Sequence, residues 1–336
     1  MPLNEIQLIG ESPSFLKVLE EVSTLAELEK PVLLVGERGT GKELFAARLH
    51  FLSKRWDSVY LQVNCASLTE TLLESELFGH EAGSFTGAMR KHMGRFERAH
   101  TGTLFLDELA TASMRVQEKI LRVIEYGEFE RVGGTGTIQT NVRIVAATNE
   151  DLPTLARAGK FREDLLDRLA FDVITLPPLR SRKEDILLLA EHFAIGMANE
   201  LGRDVFPGFA DAAKELLENY DWPGNVRQLK NVVERAVYRN DPDELVDGVI
   251  VDPFESPYRL NGSASASTSD NWESFFELPM DLKKTLEDLE IQAIEKALVE
   301  AKHNQRRVAE NLGLTYHQLR NLLRKYSLST SRSTAE

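Results

Sequence analysis

The segment GERGTGKE (36–43) has the residue types and the spacing needed to hold a polyphosphate. Gly36, Gly41 and Lys42 fit the pattern G-x-x-x-x-G-K, between a short apolar run and a helical pattern. Glycines let backbone N–H groups converge on phosphate oxygens, and the lysine reaches the β- and γ-phosphates. Glu43 stands where the general pattern has a Ser or Thr that binds Mg²⁺. A glycine-rich turn with an exposed lysine is the alternative interpretation.

Two adjacent carboxylates follow a second apolar run, GTLFLDE (102–108). Ligand sites of α/β proteins form at the carboxyl ends of their strands, where Asp107 and Glu108 are predicted to lie. Asp107 suits a Mg²⁺ ligand, and Glu108 suits the group that polarises an attacking water. A solvated strand end is the alternative for this pair taken alone.

Three arginines could stabilise the charge that develops on a transferred phosphoryl group. Arg162 and Arg168 lie in FREDLLDRLAF (161–171), and Arg227 lies in WPGNVRQLKN (222–231). Ordinary surface arginines, solvated or paired with carboxylates, are the alternative for each of them.

The elements that must position these residues alternate between strands and helices. Short apolar runs predict four strands, at 31–36, 59–65, 103–108 and 142–148. The segment KELFAARLHFLSKRW (42–56) and the other sequence between these runs read as helical. This alternation predicts an α/β fold with a parallel sheet and helices on its faces.

Four segments are predicted along the chain. Apolar residues at three- and four-residue spacing predict a small helical domain after the α/β part, and GSASASTS marks a flexible linker. The predicted boundaries are 1–180 for the α/β domain, 181–252 for the helical domain, 253–280 for the linker and 281–336 for a C-terminal helical domain.

Composition limits the class of protein. A single cysteine, Cys65, excludes an internal disulfide framework and suits a reducing compartment. The sequence shows no apolar run long enough to cross a membrane and no secretory pattern, which predicts a soluble cytoplasmic protein. Residues 302–336 carry a net charge of +5 while the remainder carries −18, so the basic end suggests a polyanion site.

The basic end has the pattern of a helix-turn-helix over residues 303–326. Asn304 and Thr315 are predicted to cap its two helices, around a turn at Gly313. The residues predicted to face inward are Tyr316, Leu319, Leu323 and Tyr326. The residues predicted to bind DNA are Arg306, Arg307, Thr315, His317, Gln318, Arg320, Asn321, Arg324 and Lys325. A three-helix dimerisation bundle with a solvated basic face is the alternative.

Together these motifs resemble AAA+ ATPases, and ESELFGHEAGSFTGA (74–88) resembles the signature of sigma-54-dependent transcription activators. The resemblance covers about residues 5–240 and includes GERGTGKE, VRIVAATN and NYDWPGNVRQLKNVVER. It implies an AAA+ parallel sheet with a helical lid, ATP and Mg²⁺ as cofactors, and a C-terminal DNA-binding domain.

The resemblance also implies a role for each matching residue of the ATPase site. It gives nucleotide binding to the whole phosphate loop, namely Gly36, Glu37, Arg38, Gly39, Thr40, Gly41, Lys42 and Glu43, and Glu43 is usual in this family. Asp107 would bind Mg²⁺ and Glu108 would activate water. Asn64 matches the residue that holds the catalytic glutamate between hydrolysis states.

Further matches imply sensing residues. Thr148 and Asn149 match the sensor at the end of the fourth core strand, and Arg227 matches the sensor in the lid. Arg162 and Arg168 match arginines that reach into a neighbouring subunit.

The family hexapeptide GAFTGA is present as Gly83, Ser84, Phe85, Thr86, Gly87 and Ala88, with Ser84 in place of Ala. The resemblance implies that this loop contacts the sigma factor. Glycines at both ends of a Phe-Thr tip favour a mobile loop with an exposed Phe85, which Asn64 and Glu108 would link to the γ-phosphate. A surface turn with Phe85 tucked inward is the alternative.

The partners implied are the sigma-54 RNA polymerase holoenzyme, enhancer DNA and further copies of the chain in a hexameric ring. Within the family the chain most resembles the phage-shock branch. This resemblance, with a phosphate loop that begins at residue 36, implies control by a separate inhibitory phage-shock protein. Trp56 is a candidate docking point for it, and a packing tryptophan is the alternative.

Two other classes of protein remain possible at this point. One is a DNA-binding repressor that uses nucleotide only as an assembly switch. The other is a protein-remodelling AAA+ enzyme whose C-terminal domain binds protein.

Overall fold

The computed structural model describes residues 8–254 apart from Thr86, residues 305–326, and Glu287, Glu290, Ile291, Ile294, Ala297 and Leu298 between them. The chain divides after Pro253 into two compact units.

The first unit is built on a five-stranded parallel sheet with the strand order β2-β3-β6-β1-β7. Its strands are β1 (Val32–Val35), β2 (Tyr60–Asn64), β3 (Thr103–Asp107), β6 (Arg143–Thr148) and β7 (Val173–Thr175). A separate antiparallel pair is formed by β4 (Glu128–Glu130) and β5 (Thr137–Gln139). The parallel α/β fold and all four predicted strands are confirmed, whereas β7 and the antiparallel pair were not predicted.

Helices cover both faces of this sheet. They are α1 (Pro13–Ala26), α2 (Lys42–Phe51), α3 (Glu70–Phe78), α4 (Arg95–Arg98), α5 (Met114–Tyr126), α6 (Leu152–Arg157) and α7 (Glu163–Leu169). One apolar cluster joins α1 and α2 to the sheet, and another joins α3, α5 and α7 to the opposite face. Because both faces are covered, β1, β3 and β6 are apolar along most of their length.

Helix α2 is shorter than predicted. The sequence pattern predicted a helix as far as Trp56, but α2 ends at Phe51. The Ser53 hydroxyl donates to the His50 carbonyl at 2.7 Å and accepts the Arg55 N–H at 3.1 Å. These local bonds give the backbone an alternative to another helical turn.

A helical subdomain follows the sheet. It contains α8 (Glu184–Glu200), α9 (Asp211–Asn219) and α10 (Asn225–Arg239), which pack around their own apolar cluster. Trp222 is fully buried there, and its indole N–H donates to the Leu217 carbonyl at 2.8 Å. Among the helices that the structure describes, none has the length and apolar character of a membrane span.

The second unit contains the predicted helix-turn-helix. Helix α11 (Gln305–Asn311) and helix α12 (Tyr316–Lys325) flank Gly313, whose φ is +66°. Thr315 caps α12 through a capping box with Gln318, as predicted. The other predicted cap, Asn304, and the linker beyond Phe254 lie outside the described residues.

The predicted inward face of α12 is partly wrong. Leu319 and Leu323 are buried against Val308 and Ala309, and Tyr326 is partly buried. Tyr316, however, is 43% exposed. It is the first residue of α12 and does not pack into the small apolar core. Its hydroxyl donates to Gln305 Oε1 at 3.2 Å.

Candidate active site

A cavity of about 790 Å³ lies between the phosphate loop, the end of β3 and helices α8 and α10. Parallel strands end at one edge of the sheet, so β3 delivers its carboxylates next to the loop that follows β1. The predicted residues that line the cavity are Arg38, Gly39, Gly41, Lys42, Glu43, Asp107, Glu108 and Arg227.

The phosphate loop holds a buried lysine at the first turn of α2. Gly39 and Gly41 have φ of +79° and +97°, a left-handed backbone that glycine adopts without a steric cost. The Lys42 ammonium donates to the carbonyls of Gly36 at 2.7 Å and Glu37 at 3.1 Å. Burial lowers the pKa of Lys42, and the nearby Asp107 and Glu108 offset part of that effect. An anion in the cavity would give this ammonium a charged partner.

Three other residues of the predicted loop do not line the cavity. Gly36 donates its N–H to the Thr148 carbonyl at 3.2 Å, and the Thr40 hydroxyl donates to the Glu37 carbonyl at 2.8 Å. The Glu37 carboxylate accepts hydrogen bonds from Arg180 and Asn225. The side chain of Glu37 therefore contacts the helical subdomain instead of the predicted nucleotide.

The two carboxylates after β3 differ in environment. Burial raises the pKa of Asp107, whose Oδ1 accepts the Glu108 N–H at 3.0 Å. Glu108 has a left-handed backbone with φ of +51°, and its Oε1 lies 3.8 Å from Arg38 Nε. A cation beside Asp107 would favour its ionised form.

Asn64 ends β2 directly opposite Asp107 in the parallel register. Its amide donates to Asp107 Oδ2 at 3.1 Å, and its Oδ1 accepts the Ala66 N–H at 2.9 Å. The register accounts for this bond, because it places Asn64 beside the last residue of β3. The contact with Glu108 between hydrolysis states stays a prediction.

The predicted sensor residues at the end of β6, Thr148 and Asn149, do not line the cavity. Thr148 is fully buried, and its hydroxyl accepts the Glu150 N–H at 2.9 Å. Asn149 is half-buried at the same sheet edge.

Two of the three predicted arginines lie away from the cavity. Arg162 pairs with Asp164 at 2.7 Å, and Arg168 pairs with Glu125 at 2.8 Å. Arg168 lines a separate hollow of about 380 Å³ with Tyr126. Arg227 alone of the three reaches the nucleotide cavity of its own chain.

The predicted sigma-contact loop is closed by a hydrogen bond from the Gly83 N–H to the Ala88 carbonyl at 2.7 Å. Gly83 and Gly87 have φ of +82° and +106°. Phe85 is half-buried, with its ring edge-on to His80 at 5.0 Å between centroids, so the expected exposed phenylalanine is not found here. The aromatic contact explains why, since it removes part of the ring from water.

The other loop residues differ in exposure. The Ser84 hydroxyl is buried and has no hydrogen-bond partner among the residues that the structure describes. Ala88 is buried, and Met89, directly after the loop, is 91% exposed. Thr86, the second half of the predicted tip, lies outside the described residues.

Trp56 is on the surface, where its side chain is 59% exposed. Arg55 beside it pairs with Glu29 and donates to the carbonyls of Gly102 and Asn141, both at 2.9 Å. Trp56 is therefore accessible to a partner, and the alternative of a partly buried packing tryptophan stays open beside the predicted docking role.

The predicted DNA-binding residues lie on the outer surface of the helix-turn-helix. Those that are exposed are Arg306, Arg307, Thr315, His317, Gln318, Arg320, Asn321, Arg324 and Lys325. The side chains of Thr315 and Gln318 bond to each other in the capping box, and the Lys325 ammonium lies 3.7 Å from Glu287.

Several cavity residues were not predicted. They are Leu44, His192, Phe193, Val226, Lys230, Asn231 and Glu234. On α10 the residues Arg227, Asn231 and Glu234 share one helical face by their spacing, which is a signal in the sequence. The resemblance placed only Arg227 of this face at the nucleotide site, and nothing in the sequence singled out the other two residues.

Comparison with known proteins identifies the domains. Residues 8–175 match the sigma-54 interaction domain, residues 180–251 match the AAA+ ATPase lid domain, and residues 285–326 match the bacterial regulatory proteins of the Fis family.

Full-length relatives agree with the domain matches. The chain is 58% identical to the Psp operon transcriptional activator of Escherichia coli over 96% of this chain and 98% of that protein. It is 39% identical to the regulatory protein AtoC of the same species, over 96% of this chain and 68% of that protein. The solved structure of NtrX from Brucella abortus in complex with ATP superposes with a TM-score of 0.68 at 33% identity, over 96% of this chain and 70% of that one.

The domain matches and the cavity agree on one class of enzyme. The chain therefore belongs to the sigma-54-dependent transcription activators, with an AAA+ ATPase domain and a Fis-type DNA-binding domain.

Proposed function

We propose that this chain hydrolyses ATP in a hexameric ring and uses the energy to move the loop 83–88 against sigma-54 bound to RNA polymerase. The outcome is conversion of a closed promoter complex into an open one. The observation that carries the proposal is the cavity in which Lys42, Asp107, Glu108 and the lid residue Arg227 converge.

Each cavity residue has a role that its chemistry supports. Lys42 and the N–H groups at the start of α2 would hold the β- and γ-phosphates, and Arg227 would contact the terminal phosphate from the lid. Glu108, whose carboxylate reaches the cavity, would orient the attacking water and accept its proton. Asn64 would hold Asp107 in place.

The donor set suits Mg²⁺ bound partly by substrate. Asp107 is a buried carboxylate with a raised pKa, and no group of three or more metal-ligating side chains occurs among the described residues. Mg²⁺ is commonly held by one or two carboxylates with waters and phosphate oxygens completing its shell. Bound beside Asp107, the ion would neutralise charge on the β- and γ-phosphates.

Assembly would complete the site. Arg162 and Arg168 are surface arginines engaged with Asp164 and Glu125, both partly exposed pairs. Such pairs contribute little free energy, so breaking them to reach another anion would cost little. We infer that these arginines act on nucleotide bound by a neighbouring copy.

The promoter and the regulator follow from the strongest resemblance reported above. A 58% identity over nearly the whole length supports action at a phage-shock operon, in the cytoplasm, under an inhibitory phage-shock protein. The exposed Trp56, held on a segment that Arg55 ties to the sheet domain, supplies an aromatic docking point for that inhibitor.

The C-terminal domain would bind enhancer DNA and raise the local concentration of the ATPase at the promoter. The exposed basic residues of α12 support this role. A gel-shift with promoter-upstream DNA tests it, because a specific and salt-sensitive shift is expected, and a protein-remodelling enzyme would give none.

Promoter melting in a purified system with sigma-54 polymerase and ATP tests the central proposal. Thr86→Ala should abolish melting while ATP turnover continues, because the tip would lose its sigma contact. Thr24→Ala, on the exposed side of α1, is the matched control and should melt DNA normally. Normal melting by Thr86→Ala would remove the loop from the mechanism.

A further inference from the structure

The carboxylate of Glu37, inside the phosphate loop, is bound by the helical subdomain. Its two oxygens accept hydrogen bonds from the Arg180 guanidinium at 2.9 and 2.5 Å, and Oε2 also accepts from Asn225 Nδ2 at 3.0 Å. These bonds, with Arg180 the larger cause, lower the pKa of Glu37 to about 2. The carboxylate is therefore charged at any physiological pH.

Asn225 joins three segments through one buried amide. Its Oδ1 accepts the Leu179 N–H at 2.8 Å, and its Nδ2 donates to both Glu37 and the Arg38 carbonyl at 3.0 Å. The residue is fully buried and has a left-handed backbone with φ of +50°, which asparagine tolerates better than most residues. It thus connects the phosphate loop, the short turn at 179–181 and the start of α10.

The backbones of the loop and the helical subdomain are also in close contact. A Cβ placed on Gly39 would lie 2.3 Å from the Gly224 carbonyl oxygen and 3.1 Å from Arg227 Cβ. The loop therefore meets the start of α10 with no room for a side chain.

We propose that Glu37, Arg180 and Asn225 form a latch that positions Arg227 over the nucleotide, and that Glu37 is not a phosphate ligand. Arg227 lies two residues after Asn225 on α10 and lines the cavity. The latch fixes the distance from this guanidinium to whatever the loop binds. The inference rests on the proposed contact of Arg227 with the terminal phosphate.

The first test is a double-mutant cycle on the full-length protein. Glu37→Gln preserves the size of the side chain and removes its charge. It should lower kcat for ATP by about tenfold or more, since small displacements of a positioning group have effects of that order. In an Arg227→Ala background the same change should lower kcat by less than about twofold, because both substitutions would remove the same contribution, that of Arg227.

A second readout separates positioning from general damage to the loop. ADP lacks the terminal phosphate, so Glu37→Gln should weaken ATP binding and leave the Kd of ADP within about twofold. Glu29→Gln is the matched control, because Glu29 is an exposed carboxylate that also pairs with an arginine, Arg55, away from the cavity, and kcat should not change. Arg180→Gln breaks the same ion pair from the other side and should reproduce Glu37→Gln.

Several results would overturn the inference. Unchanged turnover in both Glu37→Gln and Arg180→Gln would remove the latch, as would an equal fold loss in the Arg227→Ala background. A matching loss of ADP affinity would indicate a collapsed loop. If Arg227→Ala left ATP turnover unchanged, both the sensor role of Arg227 and the latch would be contradicted. If Arg227→Ala lowered turnover but Glu37→Gln and Arg180→Gln did not, only the latch would be contradicted.

Discussion

Glu108 has a backbone conformation that residues with a Cβ rarely adopt. Its φ and ψ are +51° and +43°, directly after the last residue of β3. Such a conformation costs on the order of 1–2 kcal/mol, and strained residues of this kind concentrate at functional sites. Here the strained turn accompanies a carboxylate that lines the cavity beside Lys42.

Replacement of Glu108 by Gln should separate nucleotide binding from hydrolysis. The amide keeps the shape of the side chain but cannot accept the proton of the attacking water. We expect kcat for ATP to fall by about 10²–10⁴-fold with little change in ATP affinity, measured by phosphate release and equilibrium binding. Glu218→Gln, on the exposed surface of α9, is the control. Hydrolysis by Glu108→Gln at the parent rate would contradict the assignment.

His50 is a buried histidine that titrates outside its usual range. Its ring stacks on Tyr60 at 5.1 Å, and Nδ1 lies 3.0 Å from Thr103 Oγ1. Burial, followed by the charge of Arg143, lowers the pKa of His50 to about 4. A lowered pKa means that the folded state favours neutral His50. Below pH 6.5 the unfolded state therefore binds a proton that the folded state does not, and the free energy of unfolding falls until the pH reaches about 4.

The free energy of unfolding should therefore fall by on the order of 2 kcal/mol between pH 7.5 and 5 through His50 alone. Denaturant titrations at several pH values measure it. His50→Gln should flatten this part of the profile, because the variant has no group to protonate there. His100→Gln, at an exposed histidine, should keep the parent slope. Parallel profiles for the parent and His50→Gln would disprove the role of His50.

At the scale of elements, the loop 83–88 packs against the segment that follows β4. Glu81 donates its N–H to the Val132 carbonyl at 3.1 Å. A Cβ on Gly133 would lie 2.6 Å from Ser84 Cβ, and Gly133 has φ of +72°. The two segments therefore fit together only with glycine at position 133.

Gly133→Ala should displace the loop without touching the nucleotide cavity. We expect promoter melting to drop by about tenfold or more while ATP turnover stays within about twofold, because the change adds both strain and a clash under Ser84. Gly136→Ala is the matched control, since a Cβ there meets none of the described atoms within 4 Å. Equal loss of promoter melting in both variants would show that the contact between residue 133 and Ser84 does not account for the loss.

At the scale of the whole molecule, the arginines expected to complete the site lie elsewhere in the single chain. Arg162 and Arg168 pair with carboxylates outside the nucleotide cavity, while Lys42 and Arg227 line it. The proposed function therefore has a second copy of the chain, related by the symmetry of a ring, supply these arginines.

Mixing two inactive variants tests this arrangement. Lys42→Ala should lose ATP binding, and Arg168→Ala should bind ATP but lose turnover. In rings mixed at equal amounts, about one quarter of interfaces combine an intact Lys42 with an intact Arg168 from the neighbour. Phosphate release should recover to that order on mixing. No recovery at concentrations where the parent assembles would place Arg168 outside the catalytic interface.

Local patterns were sufficient for much of the fold and of the site. The strands around Leu34, Leu104 and Ala146 were predictable because short apolar runs bounded by turn residues are typical of buried strands. Lys42, Asp107 and Glu108 were predictable because the phosphate loop and the carboxylates each occupy a short segment at the end of a strand. The Thr315 cap likewise depends only on residues three apart.

Contacts between distant segments were not predictable in the same way. Asn64 bonds Asp107 because of the register between two strands, and Glu37 bonds Arg180 and Asn225 across more than 140 positions of sequence. The edge-on contact of Phe85 with His80 likewise depends on the tertiary path of the loop.

The sequence by itself determined the chemistry available to this protein, because glycines, a lysine and two carboxylates at fixed short spacing act through local backbone geometry. The tertiary structure decided which of these groups meet. It directed Glu37 to the helical subdomain, Arg227 to the cavity, and Arg168 away from it. The physical reason is that side-chain partners depend on how helices and strands pack, and packing is set by the whole core rather than by neighbouring residues.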